Sequence, residues 1–96
     1  MITVVVPTMW RYSPFLDFLK YILKVDVVTE CIIINNDSTR TPSHPVLSNP
    51  KIKLVDFGKN IFVNPAWNYG VQNSSNNIVC IPVSYTHLRA HETGRN

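Results

Sequence analysis

Two short apolar runs constrain the fold of this chain more than any other feature of its sequence. The first is ITVVV at residues 2–6 and the second is CIII at residues 31–34, and neither shows a regular alternation of apolar and polar side chains. Strands of this kind are typically buried on both faces, as in parallel sheets that are covered by helices. The two runs therefore predict an α/β protein.

A helical pattern lies between these two predicted strands. Apolar residues recur at helical spacing from residue 15 to residue 23, and Ser13 and Pro14 precede them. Serine is a favoured N-cap residue, and proline is favoured at the first position of a helix. The pattern predicts a helix that begins at Pro14, ends near Lys24 and buries one apolar face.

The remaining elements continue the alternation of strands and helices. Residues 52–55 and 78–81 are predicted strands, and Asn64 with Pro65 repeats the cap-and-proline pair before a helix that runs to about Asn73. Strands that alternate with helices favour parallel pairing through right-handed crossovers. We therefore predict a Rossmann-like, mostly parallel four-stranded sheet with flanking helices.

The composition excludes several other classes of protein. With 45% hydrophobic and 16% charged residues, the 96-residue chain has the composition of a globular domain. Its net charge is +3, but the basic residues are scattered along the sequence, so no nucleic-acid partner is expected. No apolar run approaches the roughly twenty residues of a membrane-spanning helix, so no membrane segment is expected either.

The cysteines and the N-terminus bear on the compartment of the protein. Cys31 and Cys80 lie in separate apolar runs, which favours two buried free thiols over a disulfide framework and indicates a reducing compartment. The first residues lack the basic, apolar and small-residue regions of a secretory signal peptide. We expect a cytoplasmic location, which for a longer parent protein includes the cytoplasmic face of a membrane.

Polar residues follow the first two predicted strands at the point where each strand ends. Pro7 and Thr8 follow the first strand, and NNDS at residues 35–38 follows the second. In open α/β sheets, ligands bind beyond the carboxyl ends of the strands. Amides, a carboxylate and a hydroxyl at that edge are suited to the donors and acceptors of a base and a ribose. The alternative is that NNDS only forms a turn, because these residue types favour turns.

The segment NIFVNPAWNYG at residues 60–70 leaves further alternatives open. Asn68 and Gly70 both lower helix propensity within a predicted helix, so another constraint is expected to select them. Gly70 fits either close packing of the helix on the sheet or close approach to a ligand. Asn68 fits a hydrogen bond to the loop after the first or the second strand. Trp67 is expected to pack against the core rather than to stack on a base.

The order of these segments carries a family resemblance. Taken together, ITVVVPT, IIINNDST and NIFVNPAWNYGVQNSSNNIVCI resemble the N-terminal half of a family 2-like glycosyltransferase with the GT-A fold, over residues 2–81. The resemblance implies transfer of a sugar from a nucleotide-sugar donor to an acceptor hydroxyl. It also implies a divalent metal, Mg²⁺ or Mn²⁺, in the full-length parent. It identifies neither the sugar nor the acceptor.

The resemblance also implies which residues bind the nucleotide. Pro7 and Thr8 match the position that frames the nucleotide, and Asn35 stands where many family members have the carboxylate that reads the base. An amide at this position can donate and accept hydrogen bonds but lacks the strength that a charge adds. The nucleotide-binding positions implied are Pro7, Thr8, Asn35, Asn36, Asp37, Ser38, Asn60, Asn68 and Gly70.

The end of the sequence departs from the family pattern. The family places metal-binding acids directly after the fourth strand, but here no acid occurs between Ile81 and Glu92. The stretch VSYTHLRAHET looks like the translation of a transposon-type adapter used in preparing DNA libraries. We therefore predict that residues 1–81 are the N-terminal part of a GT-A glycosyltransferase domain, truncated near Ile81, and that residues 82–96 are a non-native tail.

These expectations limit the activity of the chain as given. We expect it to hold no metal or other cofactor, to contain no catalytic residue and to transfer no sugar. His87 and His91 are four residues apart, but they lack the third ligand and the HExxH order of a zinc site. The alternative is a non-catalytic nucleotide-binding or flavodoxin-like regulatory module, which would use NNDS for a ligand without a metal.

Overall fold

The computed structural model describes residues 1–12 and 14–76, together with the backbone of residues 78–80. The predicted N-cap at Ser13 lies outside the described residues, as do the truncation near Ile81, the tail and its histidines. The described elements in chain order are β1 (Ile2–Thr8), α1 (Phe15–Ile22), β2 (Val28–Asn35), a first 3₁₀ turn (Ser38–Arg40), a second 3₁₀ turn (Pro45–Ser48), β3 (Ile52–Asp56), α2 (Val63–Gln72) and β4 (Ile78–Cys80).

The strands form one sheet in the order β3-β2-β1-β4. β2 pairs with β1 on one side and with β3 on the other, and the three residues of β4 pair with the start of β1. All of these pairings are parallel. The predicted α/β class with parallel strands is therefore confirmed, although β2 and β3 are connected by two 3₁₀ turns and not by an α-helix.

Each face of the sheet is covered by one helix and has its own apolar core. Successive side chains of a strand point to opposite faces, so the two buried strands contribute to both cores. The core on the α1 side contains Val4, Val6, Phe15, Leu19, Ile22, Leu23, Val28, Cys31 and Ile33. The core on the α2 side contains Val5, Ile32, Ile34 and Ala66.

β1 extends further than its sequence predicts. The strand continues past Val6, its predicted end, and pairs Pro7 with Ile34 of β2. Proline has no backbone N–H, so it is tolerated in a strand where one side lacks a partner. β4 pairs only with residues 2–4, so no described strand lies beside Pro7 on that side of β1.

Both helices begin at residues that differ from the predicted ones. α1 begins at Phe15, with Pro14 at the cap position rather than at the first helical position. α2 begins at Val63, so Asn64 lies inside the helix and is not its N-cap. The cap position is Phe62, whose backbone angles (φ 67°, ψ −179°) lie in a region that glycine almost alone adopts. The chain thus enters α2 through a strained residue, which a cap-and-proline pattern does not predict.

Cys31 is a buried free thiol, as predicted. Burial, together with the nearby charge of Glu30, raises the pKa of this thiol to about 12. A thiol with such a pKa stays protonated at physiological pH, and the thiolate is the reactive form. Cys31 therefore has a packing role, while the side chain of Cys80 lies outside the described residues.

A buried carboxylate connects three strands to the loop after α2. Glu30 of β2 is 4% exposed, and its Oε1 accepts hydrogen bonds from Thr3 Oγ1 at 2.7 Å and from the backbone N–H of Ser75 at 2.8 Å. Its Oε2 accepts a hydrogen bond from Ser75 Oγ at 3.1 Å and pairs with Lys53 of β3. Burial acts to raise the pKa of Glu30, but these bonds together outweigh burial and lower it to about 2. The charged form of Glu30 therefore stabilises the fold.

Neither described helix has the length of a membrane span. α1 contains 8 residues and α2 contains 10, whereas a span requires roughly twenty. No helix among the described residues is both long and apolar enough to cross a bilayer.

We predict that Glu30→Gln removes a pH-dependent part of the stability. The pKa of Glu30 is about 2 in the folded chain against an ordinary value of 4.5, so its ionised form stabilises the fold above pH 4.5. That contribution is lost as the pH falls from 4.5 towards 2. At neutral pH we expect a loss on the order of 3 kcal/mol, from about 1.4 kcal/mol per unit of pKa difference.

Urea unfolding followed by circular dichroism over this pH range measures the effect. The difference in stability between the parent chain and Glu30→Gln should shrink as the pH falls. Asp26→Asn removes an exposed acid and is the matched control. A difference between parent and Glu30→Gln that stays constant with pH would contradict the prediction.

Candidate functional site

Three strands end side by side at one edge of the sheet. The register places Thr8 of β1 beside Asn35 of β2, and Asn35 beside Asp56 of β3. A hydrogen bond of 2.9 Å from the N–H of Asn36 to the carbonyl of Thr8 continues the pairing by one step. The loops after β1, β2 and β3 therefore leave the sheet at the same level.

Asn35 is buried, and its amide connects two of these loops. Its Oδ1 accepts hydrogen bonds from Trp10 Nε1 at 2.8 Å and from the N–H of Asp37 at 3.1 Å. Its Nδ2 donates to Thr41 Oγ1 at 2.7 Å. The residue is only 2% exposed, so these contacts, rather than water, take up most of the hydrogen-bonding capacity of its amide. Asn35 thus holds the loop after β1 against the loop after β2.

The side chains of Asn36 and Asp37 also hold backbone in place. Asn36 is 6% exposed, and its Oδ1 accepts a hydrogen bond from the N–H of Ile61 at 3.1 Å. Asp37 caps the first 3₁₀ turn, because its Oδ1 accepts from the N–H of Thr39 at 3.2 Å and from the hydroxyl of Thr39 at 2.6 Å. Both residues therefore support the turn interpretation of NNDS.

Ser38 joins the turn to the end of β3. Its hydroxyl contacts both carboxylate oxygens of Asp56, at 2.9 and 2.7 Å, and the N–H of Gly58 donates to Asp56 at 2.7 Å. These hydrogen bonds lower the pKa of Asp56, and the one from Ser38 contributes most. Asp56 is exposed, so it places an ionised carboxylate at the rim of this edge.

Thr8 and Asn60 fix the loops on either side of the turn. Thr8 Oγ1 accepts a hydrogen bond from the N–H of Trp10 at 2.9 Å. Asn60 Oδ1 accepts from the N–H of Phe62 at 2.7 Å, and its Nδ2 lies 3.9 Å from the sulfur of Met9. The first contact of Asn60 holds the strained backbone at the start of α2.

Asn68 and Gly70 have different surroundings from the other predicted site residues. Gly70 is buried against β1, and a Cβ at this position would lie 2.6 Å from Cγ2 of Val5. Close packing of helix on sheet therefore accounts for the glycine. Asn68 is exposed and makes no hydrogen bond to the loops within the described part of the chain. Trp67 packs against the α2-side core, as expected.

An open cavity of about 160 Å³ lies between the loop after β1 and the first 3₁₀ turn. Trp10, which donates to Asn35, packs edge-on against Phe15 with ring centres 5.7 Å apart. Aromatic faces and a guanidinium group are both suited to binding planar polar rings. The residues that line the cavity are Trp10, Tyr12, Phe15, Leu16, Arg40 and Pro42.

Trp10, Tyr12, Arg40 and Asp56 are absent from the assignment based on sequence. A signal exists for Trp10 and Tyr12, because they follow the carboxyl end of the first predicted strand, where α/β proteins bind ligands. Arg40 begins a stretch with three prolines that resembles an ordinary surface loop. Only the fold places Arg40 beside Trp10.

The described residues contain no group that could hold the divalent metal implied by the resemblance. Within residues 1–12 and 14–76, no group of three or more His, Cys, Asp or Glu side chains could hold a metal ion. The position after β4, where the family places its metal-binding acids, lies outside the described residues. We therefore assign no metal ligand here.

Comparison with known proteins gives no match. No family model matches the chain, and no curated protein or solved structure is significantly similar to it. The resemblance to family 2-like glycosyltransferases therefore rests on the sequence motifs alone, and the function has to be argued from the site.

We predict that Asn35→Ala destabilises the chain by about 2–4 kcal/mol, because three hydrogen bonds are lost and buried partners are left unpaired. The indole of Trp10 would also lose its acceptor, so its fluorescence should change. The chain has two tryptophans, so Trp67→Phe leaves Trp10 as the source of tryptophan fluorescence.

Urea unfolding and tryptophan emission in the Trp67→Phe background measure both effects of Asn35→Ala. Asn68→Ala is the matched control, because it removes an exposed asparagine amide and should leave stability and emission nearly unchanged. An Asn35→Ala chain as stable as the control, with the same emission, would show that the buried amide does not hold the loops.

We predict that Gly70→Ala is destabilising although alanine is the better helix former. The added methyl group overlaps Val5, and overpacking of this kind costs about 1–3 kcal/mol against a helix-propensity gain of about 1 kcal/mol. Thermal unfolding of Gly70→Ala, Val5→Ala and the double variant measures the coupling. The loss of stability in the double variant should be smaller than the sum of the losses in the two single variants. Additive losses would rule out the overlap.

Proposed function

We propose that this chain supplies the nucleotide-binding part of a GT-A type glycosyltransferase, which transfers a sugar from a nucleotide-sugar donor to an acceptor hydroxyl. The observation that carries the proposal is the open aromatic cavity beside the carboxyl ends of β1 and β2. In open α/β sheets, nucleotides bind in the crevice beyond these strand ends. The order of motifs in the sequence supports the same function.

The cavity would take the base of the nucleotide. Trp10 and Tyr12 offer aromatic surface on which a base can stack, and Arg40 offers hydrogen-bond donors beside it. Asp56 does not line the cavity, but its ionised carboxylate stands at the same edge of the sheet and can accept hydrogen bonds from hydroxyl groups such as those of a ribose. The described residues therefore supply apolar contact and both kinds of hydrogen-bonding group.

Two of the polar residues implied by the resemblance would position this cavity, and two others hold a loop outside it. Thr8 and Asn35 both bond to Trp10 and so fix one wall. Asn36 and Asn60 hold the loop that leads into α2. Such support matters because a binding site is effective only when its contacting groups are already held in place.

The proposed role of the described residues is limited to binding and orienting the nucleotide. In glycosyl transfer, the departing nucleoside diphosphate develops negative charge that must be neutralised. The described residues offer no metal-binding group, so we assign no step of the transfer to them. The same cavity also fits the alternative of a non-catalytic nucleotide-binding or flavodoxin-like module, because the contacts that its lining residues offer a base need no metal.

We predict that the chain binds a nucleoside diphosphate saturably and that Tyr12→Ala weakens this binding at least about fivefold. Stacking of a base on an aromatic ring contributes about 1–3 kcal/mol. Isothermal titration with UDP and with GDP, each in the presence of Mn²⁺ or of a chelator, measures the binding. Tyr21→Ala is the matched control, because Tyr21 is an exposed tyrosine that does not line the cavity.

The outcomes separate the proposal from its alternative. The described residues contain no metal-binding group, so binding by this chain should be equal with and without metal under either function. In a parent chain extended past Ile81, binding that is stronger with Mn²⁺ supports the glycosyltransferase, whereas binding that is equal with and without metal supports the non-catalytic module. Equal loss of affinity in Tyr12→Ala and Tyr21→Ala would exclude the cavity as the site. Absence of saturable binding by either nucleotide would contradict both functions.

A further inference from the structure

The hydroxyl of Thr41 takes part in a chain of hydrogen bonds that connects the two sides of the cavity. Trp10 Nε1 donates to Asn35 Oδ1 at 2.8 Å, and Asn35 Nδ2 donates to Thr41 Oγ1 at 2.7 Å. Trp10 belongs to the loop after β1 and lines the cavity. Thr41 does not line it, but its sequence neighbours Arg40 and Pro42 both do. The chain of hydrogen bonds therefore joins the two loops that form the cavity.

The partners of Thr41 determine the direction of these hydrogen bonds. Thr41 Oγ1 lies 2.9 Å from the backbone carbonyl oxygen of Ser38, which can only accept a hydrogen bond. A threonine hydroxyl has one proton, so this proton is donated to Ser38 and a lone pair is left to accept from Asn35. Thr41 thus holds the amide of Asn35 to the first 3₁₀ turn.

The amide of Asn35 depends on Thr41 because its other contacts are all made by its oxygen. Oδ1 accepts from Trp10 and from the N–H of Asp37, whereas Nδ2 donates to Thr41. Asn35 is 2% exposed, and a buried donor that loses its partner is costly. The last side-chain torsion of asparagine is broad, so an amide without Thr41 can rotate and release Trp10.

We propose that Thr41 is a positioning residue, which holds the Arg40 and Pro42 side of the cavity to Trp10 through the amide of Asn35. For its ligand, the nucleotide, this inference rests on the proposed function. A cavity binds a planar ring tightly when its walls are already held in place, because ordering them on binding costs affinity. Thr41 therefore affects binding through the residues on either side of it and not by contact with the ligand.

Hydrogen exchange of the Trp10 indole N–H, followed by NMR on the full chain, tests the positioning without any ligand. In the Trp67→Phe background the remaining indole signal belongs to Trp10. Thr41→Val keeps the shape of the side chain but neither donates nor accepts, so it should speed this exchange at least about fivefold, as expected for the loss of a buried hydrogen bond. Thr41→Ser keeps the hydroxyl and should restore the exchange to within about twofold of the parent rate.

Isothermal titration with UDP and with GDP measures the effect on the ligand. Thr41→Val should weaken binding of the nucleotide that the parent chain prefers at least about fivefold, and Thr41→Ser should bind it like the parent. Thr29→Val is the matched control, because Thr29 is an exposed threonine near the start of β2 whose hydroxyl also accepts from an asparagine amide, Asn76 Nδ2 at 2.9 Å. It should change neither the exchange of the Trp10 N–H nor the affinity.

The possible results distinguish this inference from the proposed function. If Thr41→Val leaves the Trp10 exchange at the parent rate, the positioning role is overturned. If it speeds exchange of the backbone amides of β1 and β2 as much as that of Trp10, Thr41 acts on overall stability, which also overturns the role. If only the Trp10 exchange rises but no nucleotide binds the parent chain, the proposed function fails and the positioning of Trp10 stands. If a nucleotide binds the parent and Thr41→Val equally well, the effect of Thr41 on the ligand is overturned.

Discussion

The parallel pairing of β1 with β2 determines where every other part of the molecule lies. These two strands contribute the apolar runs that are buried on both faces, so each face needs a helix to cover it. Their register also sets Thr8 beside Asn35, from which the loops of the candidate site diverge. A shift of one residue in this register would turn every buried side chain to the opposite face and separate the two loops.

Much of this framework could be predicted from the sequence, because burial leaves a pattern that local physical chemistry explains. Continuous β-branched runs predict β1 and β2, and the helical spacing around Leu19 predicts α1. The ends of elements were less predictable. Pro7 stays in its strand where no described strand pairs with that side of β1, and α2 begins at Val63 after Phe62, whose strained backbone donates a hydrogen bond to Asn60. The first depends on which strand lies beside β1 and the second on a backbone conformation rare outside glycine, and neither leaves a pattern in the sequence.

The candidate site was only partly predictable, for a related reason. The sequence shows that NNDS is polar and follows a buried strand, but it does not show whether those side chains face a ligand or the chain itself. In the structure Asn35 and Asn36 bond to groups of their own and neighbouring loops, whereas Arg40, which has no sequence motif, lines the cavity. Polar residue types thus indicated the edge of the sheet at which the loops diverge, but not which of their side chains are exposed there.

The network around Glu30 also has a consequence for the kinetics of folding. Its partners come from β1, β3 and the loop after α2, and its hydrogen bond with Ser75 joins residues 45 positions apart. Contacts between such distant segments form only after the loops between them have closed. Interactions that form after the transition state slow unfolding and leave the folding rate almost unchanged. We therefore infer that the network forms late in folding and lengthens the lifetime of the folded chain more than it speeds folding.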